Sequence, residues 1–190
     1  VATGQGSGQG GCIRDERRGR HMLPEIKKIL YATDLSKNST FAFRYAVKLA
    51  EALDAEVAIL YVLPTIDSAM EVPIITQMGE DRYYQLREER SRDIIENIEA
   101  KLNDFSRKEL SNLKREGDLV SSILVQEGDA VDEILKTVER QGSDMIVLGA
   151  HGKGILSHTF LGSVSEKVLR RSRWPVVVVP IPKGVTDSDL

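Results

Sequence analysis

Five short aliphatic runs, separated by stretches whose apolar residues return at three- and four-residue steps, constrain this chain more than any other feature of it. The runs are KILYAT (Lys28 to Thr33), VAILYVL (Val57–Leu63), Leu119–Val125, DMIVL (Asp144–Leu148) and WPVVVVP (Trp174–Pro180). A strand with one wet face alternates apolar and polar residues, whereas an unbroken Val/Ile/Leu run is buried on both faces, as parallel strands are beneath covering helices. After turn chemistry at Ser36–Asn38, Phe41, Ala42, Tyr45, Ala46, Leu49, Ala50 and Leu53 recur at helical spacing. Gly128-Asp129 opens a helix with Val131, Ile134, Leu135 and Val138 on one face, Asp129 at the N-cap and acidic Asp132 where the helix dipole favours it. A short helix is expected over Ser163–Arg171. From about Asp81 to Arg115 the chain is highly charged, yet Ile95, Ile98, Leu102 and Phe105 mark one apolar stripe, so a long amphipathic helix is expected there. Residues 64–80, with two prolines, two methionines and Gly79, read as an irregular insertion. The order β-α-β-α-β-α-β-α-β, with right-handed crossovers, predicts a doubly wound α/β sandwich around a parallel sheet.

Composition narrows the function classes. With 190 residues the chain suggests one domain, and 41% hydrophobic against 29% charged residues is enough to bury a core. No stretch approaches the roughly 18 consecutive apolar residues of a membrane span. There are 26 Lys and Arg against 29 Asp and Glu, which disfavours a non-specific nucleic-acid binder. A single cysteine, Cys12, rules out a disulfide scaffold and a cysteine-based zinc site. Residues 1–21 hold six of the 15 glycines, show no hydrophobic period and lack the apolar core of a secretory signal. They read as a disordered, vector-derived leader before Met22, with the folded domain over 22–183 and a tail over 184–190. Without the leader the balance is −5 and no cysteine remains, which fits a cytoplasmic domain.

In a doubly wound sheet ligands sit at the carboxyl ends of the strands, near the point where strand order reverses. Two such ends stand out: Ala32-Thr33-Asp34 after the first strand, and Gly149-Ala150-His151-Gly152-Lys153-Gly154 after the fourth, in a loop that lasts until Leu161-Gly162-Ser163. Glycines let backbone N–H groups approach an anion, and the start of the next helix supplies unpaired N–H groups and positive dipole potential. Ser163 adds a hydroxyl at that end. These parts make a phosphate cradle. The common nucleotide loops do not match: Gly152-Lys153 is followed by Gly154, so there is no Walker A sequence, and Ala-Thr-Asp-Leu-Ser follows the first strand where a dinucleotide fingerprint would need its glycines.

Gly149-x2-Gly152-x9-Gly162-Ser163 resembles the G-2x-G-9x-G-[ST] signature of the universal stress protein family. KILYATDLS, LYV at the end of the second strand and PVVVVP also look like that family, over roughly residues 26–181. The resemblance implies a five-stranded parallel sheet of order 3-2-1-4-5, in a Rossmann-like, adenine nucleotide alpha hydrolase-like sandwich. It implies ATP or AMP as ligand, with Mg2+ held mainly through the phosphates. Asp34 would lie beside the ribose, and Ala32, where the family often has proline, would border the nucleotide. A backbone group of Val62 would contact the adenine. Gly149 would lie under ribose and phosphates, His151, Gly152 and Lys153 would continue the loop, and Gly162, Ser163, Val164 and Ser165 would close around the phosphates. A homodimer through Val176, Val177, Val178 and Val179 of the last strand is implied as well.

Simpler roles compete for several of these residues. Ser163 and Glu166 spell an S-x-x-E capping box, which is compatible with a phosphate site at the same helix end. Asp34 suits the turn before the first helix. His151 and His158, seven apart and without a carboxylate pair, make a poor metal site. Lys153 suits either solvent or a phosphate, and Tyr61 and Trp174 read as packing residues. Three functions follow: a dimeric nucleotide-dependent regulatory module; a slow ATPase or autophosphorylating enzyme, for which no clear general base stands out; and a dimeric interaction module in which nucleotide is dispensable. Gly152→Val would abolish binding in the first, turnover in the second, and nothing functional in the third.

Overall fold

A computed structural model describes residues 23–65, 68–111, 119–151 and 161–180, apart from the side chains of residues 37, 38 and 68–71. Among these residues the strands are β1 (Lys28–Thr33), β2 (Glu56–Leu63), β3 (Val120–Glu127), β4 (Met145–Gly149) and β5 (Val176–Val179). The helices are α1 (Lys37–Leu53), α2 (Ser68–Met78), α3 (Glu80–Leu110), α4 (Ala130–Arg140) and α5 (Ser163–Arg171). All the strand pairs are parallel, in the order β3-β2-β1-β4-β5. This is the expected doubly wound sheet, and order reverses between β1 and β4.

Each inner strand feeds both faces, which is why its sequence is unbroken hydrophobic rather than alternating. Ile29, Tyr31, Val57, Ile59 and Val147 pack beneath α1 and α3 with Phe43, Ala46, Ile98 and Leu102. Leu30, Ala32, Ala58, Leu60, Ile146 and Leu148 pack beneath α4 and α5 with Val131, Ile134, Val138 and Val168. Phe43 holds the first layer together, its ring centroid 5.2 Å from Tyr31 and 5.0 Å from Phe105. Tyr61 and Trp174 both pack against these cores, one on each face.

The entry to the central pair is clipped by one side chain. Asp144 Oδ2 accepts the N–H groups of Lys27 and Lys28 at 2.8 and 3.0 Å, joining the start of β4 to the start of β1.

The structure corrects the sequence reading of residues 64–80. Residues 68–78 form α2, with Pro73 inside it. Proline and the following Gly79 read as breakers, and α2 is so evenly apolar that no helical stripe marks it. Gly79, at φ 86°, makes the corner: its N–H donates to Ile75 O at 2.9 Å, and its carbonyl accepts from Tyr83 N at 3.1 Å. That left-handed backbone suits glycine, and it lets α3 follow α2 with a single residue between them. α3 runs 31 residues, about 46 Å, and buries Tyr83, Ile98, Leu102, Ser106 and Leu110. It ends five residues before the expected boundary, and residues 112–118 lie outside the described set. β3 extends to Glu127, and β5 is trimmed to the four valines between Pro175 and Pro180. The expected leader, 1–21, and tail, 184–190, lie outside the described residues, as do Gly152, Lys153 and His158.

Candidate functional site

The β1–α1 turn is held by its own side chains. Thr33 Oγ1 accepts from Leu35 N at 3.0 Å and donates to Ser39 Oγ at 2.9 Å. The Ser39 hydroxyl in turn donates to Ser36 O at 2.6 Å. Asp34 Oδ1 accepts from Ser36 N at 3.0 Å, the turn-organising role open to it on sequence. Ser36 is the N-cap of α1, accepting from Ser39 N at 3.3 Å, and Leu35 takes a left-handed φ of 59°. Below this turn the buried Tyr31 hydroxyl donates to Ser39 O. Burial pushes that phenol well above its ordinary range.

The end of β2 faces the turn. Its ladder with β1 stops at the Thr33–Tyr61 rung, whereas β3 goes on pairing with Val62 and Leu63. On its β1 side, therefore, the β2 backbone is open from Val62 onward. Gly128 N–H donates to Leu63 O at 3.0 Å and brings the start of α4 alongside. Asp129 caps that helix as expected, accepting from Val131 N and Asp132 N at 3.0 and 3.1 Å.

Across the order reversal, the two ends of the long loop are tied together: Gly162 N–H donates to Ala150 O at 2.7 Å, and Ala150 N–H to Val179 O at 2.8 Å. The expected capping box is not formed. Gly162, at φ −61° and ψ 150°, is the N-cap, and its carbonyl accepts the first intrahelical bond, from Glu166 N at 2.9 Å. Ser163 thus sits one position inside α5, too far along to cap it, and its side chain stays exposed. The N–H groups of residues 163–165 precede the first intrahelical bond, so they point out of the helix end as an anion-binding start. The buried Ser165 hydroxyl, by contrast, donates back to Gly149 O at 2.8 Å.

These ends enclose a cleft of about 370 Å³ over β1, β2 and β4. Nine of the eleven residues singled out from the sequence line it: Ala32, Asp34, Val62, Gly149, His151, Gly162, Ser163, Val164 and Ser165. The remaining two, Gly152 and Lys153, fall outside the described residues. Sequence reasoning missed Leu60, Pro64, Ala130, Ile134 and Leu148, which make the apolar wall, and Thr33, Ser39 and Tyr61 beside them. The available signal was positional, since the end of β2 and the start of α4 meet at the same sheet edge. Asp34 is the one carboxylate among the described lining residues. His151 Nε2 is buried and has no hydrogen-bond partner among the described residues. No group of three or more His, Cys, Asp or Glu arranged for a metal occurs among the described residues, and no described helix is long and apolar enough to cross a membrane.

A doubly wound parallel sheet of this order, with a largely apolar cleft at its reversal point and a helix start on one wall, defines a Rossmann-like α/β protein. Residues 25–180 match the model of the universal stress protein family, and the chain belongs to that family. Universal stress protein MJ0577 of Methanocaldococcus jannaschii is 34% identical over 158 residues, 80% of this chain and 94% of its own length. A solved structure of MJ0577 has a TM-score of 0.57 at 30% identity, covering 85% of this chain and all of its own. Universal stress protein YxiE of Bacillus subtilis is 30% identical over 81% of this chain and 99% of itself. The fold is also shared by a universal stress protein solved in complex with cAMP, with TM-score 0.52, 20% identity, and coverage of 83% and 98%.

Proposed function

We propose that the cleft binds an adenine nucleotide, ATP or AMP, and that this chain is a nucleotide-dependent regulatory module rather than a dedicated catalyst. The observation that carries the reading is the division of the cleft into two halves at the carboxyl ends of β1, β2 and β4. Leu60, Val62, Pro64, Ala130 and Ile134 offer an apolar slot for a flat base, with the open β2 backbone at Val62 as its polar edge. Gly149, Gly162 and the N–H groups that open α5 offer an uncharged cradle for phosphates, with the exposed Ser163 hydroxyl at its mouth. Between the halves, Asp34 is held by its bond to Ser36 N where a ribose would lie. His151 Nε2, buried and without a partner among the described residues, is a further polar atom that a ligand would satisfy. Gly152 and Lys153 would extend the cradle, and Mg2+ would come with the phosphates rather than from a protein cage.

A homodimer through Val176–Val179 of β5 belongs to the same reading. Among the described residues β5 is an edge strand paired only with β4, and an edge of four valines is a ready template for a twin.

The test is mass spectrometry of nucleotide released from freshly purified, denatured protein, with calorimetric titration of stripped protein by ATP-Mg. Co-purified adenine nucleotide, or saturable binding at micromolar affinity, is the expected result. A blank in both would overturn the reading.

A further inference from the structure

Ser39 carries no signature in the sequence, yet it stands where strand, turn and helix meet at the cleft wall. It lies in the first turn of α1, lines the cleft beside Thr33 and Asp34, and is 4% exposed. Its hydroxyl accepts from Thr33 Oγ1 at 2.9 Å and donates to Ser36 O at 2.6 Å. Its N–H donates to Ser36 Oγ at 3.3 Å, and its carbonyl accepts the Tyr31 hydroxyl from the strand beneath. The buried Thr33 carries the chain one step further, accepting from Leu35 N at 3.0 Å. Hydroxyls linked in series polarise one another in a dry interior, so these bonds act as a unit.

The unit closes around Asp34 and Leu35. Leu35 is at φ 59°, a left-handed backbone that a side chain rarely adopts and that persists only where its surroundings over-determine it. Here Thr33 holds the Leu35 N–H, Ser39 holds the Ser36 carbonyl, and the Ser36 N–H in turn holds Asp34 Oδ1 at 3.0 Å. Capping α1 takes only the Ser36 side chain, so the other bonds serve the turn. A carboxylate can accept about four hydrogen bonds, and the one from Ser36 N therefore orients Asp34 without exhausting it. We propose that Ser39 is a positioning residue for ligand recognition: through Thr33 and Ser36 it sets Asp34 to accept the paired hydroxyls of a ribose. The cleft then prefers nucleotides with a free vicinal diol, because a sugar lacking both hydroxyls leaves a fixed acceptor unpaired. The inference rests on the nucleotide reading above and adds to it the sugar requirement and its origin.

Calorimetric titration of the stripped full chain with ATP-Mg and with 2′,3′-dideoxy-ATP-Mg tests it. Wild type is expected to bind ATP more tightly by about tenfold or more. Ser39→Ala keeps the carbonyl that receives Tyr31 and suits a helix, and it is expected to remove most of that preference by weakening ATP. A merely destabilised protein would weaken both ligands together and keep the ratio. Thr33→Val should act like Ser39→Ala, whereas Thr33→Ser, which retains the hydroxyl, should keep the wild-type ratio. Asp34→Ala should abolish the preference, and adding Ser39→Ala to it should change the ratio no further. If wild type binds neither compound, the nucleotide reading falls and the inference with it. If wild type binds both equally, or Ser39→Ala keeps the full preference, the inference alone is overturned.

Discussion

The buried hydroxyl of Ser165, in the first turn of α5, donates to the carbonyl of Gly149, the last residue of β4, at 2.8 Å. The two residues bracket the long loop, and their bond fixes the start of α5 against the end of β4, where the proposed phosphate cradle lies. Ser165→Ala leaves the Gly149 carbonyl without this partner and is expected to cost about 1–2 kcal/mol. Urea unfolding gives that number, and a parallel ATP titration should show weaker binding from a less ordered cradle.

Ser163 sits in the same turn, yet substitution there should do the reverse, because its exposed side chain makes no capping bond. Ser163→Glu sets a carboxylate at the helix start, where the dipole tolerates it but a phosphate would be repelled. Thermal unfolding is expected to stay within a degree or two of wild type, in keeping with an exposed site. Affinity for ATP should fall more than about tenfold by calorimetry, which corresponds to roughly 1.4 kcal/mol.

Asp144 joins β4 to β1 through two backbone N–H groups. Removing the shared acceptor Oδ2 in Asp144→Ala is expected to destabilise the fold by about 1–3 kcal/mol, and Asp144→Asn, whose amide oxygen can still accept, by less. Chemical denaturation of the three proteins checks the order.

Gly128 has a φ of 150°, and a Cβ built there would lie 2.9 Å from Glu133 Cγ. Glu133 is itself buried and paired with Lys136 at 2.7 Å. Gly128→Ala should therefore cost about 1–3 kcal/mol through backbone strain and crowding. A double-mutant cycle with Glu133→Ala should recover the crowding part and leave the strain.

Tyr31 predicts an alkaline limit. Its folded-state pKa is raised by burial above the unfolded value near 10, so the folded state favours the protonated phenol. The sign follows: this contribution is complete below pH 10 and is lost above it, as the unfolded chain ionises first. Relative to Tyr31→Phe, wild type should hold a constant advantage from pH 7 to 10. That gap should then narrow by about 1.4 kcal/mol per pH unit. Denaturant melts of both proteins between pH 7 and 11.5 measure it.

The layered sheet was readable because its inner strands are buried on both sides, and burial leaves no room for polar residues to blur their runs. Asp129 was readable because a cap is a local matter of one carboxylate and two N–H groups. The cap of α5 failed by one residue for a tertiary reason: Gly162 N–H is held by Ala150 O, and that tether places glycine, not serine, at the helix entrance. α2 was unreadable because it is nearly uniform in polarity, so there was no period to detect, and its proline argued against it. The Asp34–Ser36 bond was legible as a turn, while the apolar wall of Leu60, Ala130 and Ile134 exists only once separate strand and helix ends are assembled at one edge.

The place of β4 beside β1 has a consequence for how this chain is made. β1 lies between a neighbour close in sequence and one whose Asp144 clip reaches back 116 and 117 residues. At ribosomal rates of about 5–20 residues per second, β1 would wait on the order of 6–23 s for that neighbour to be synthesised. Throughout that interval the middle of the future sheet is an open edge, hydrophobic on both faces and lacking proline to blunt it. The strand most protected in the finished protein is thus the one most exposed during synthesis, and the nascent chain is at its most aggregation-prone where the mature one is safest.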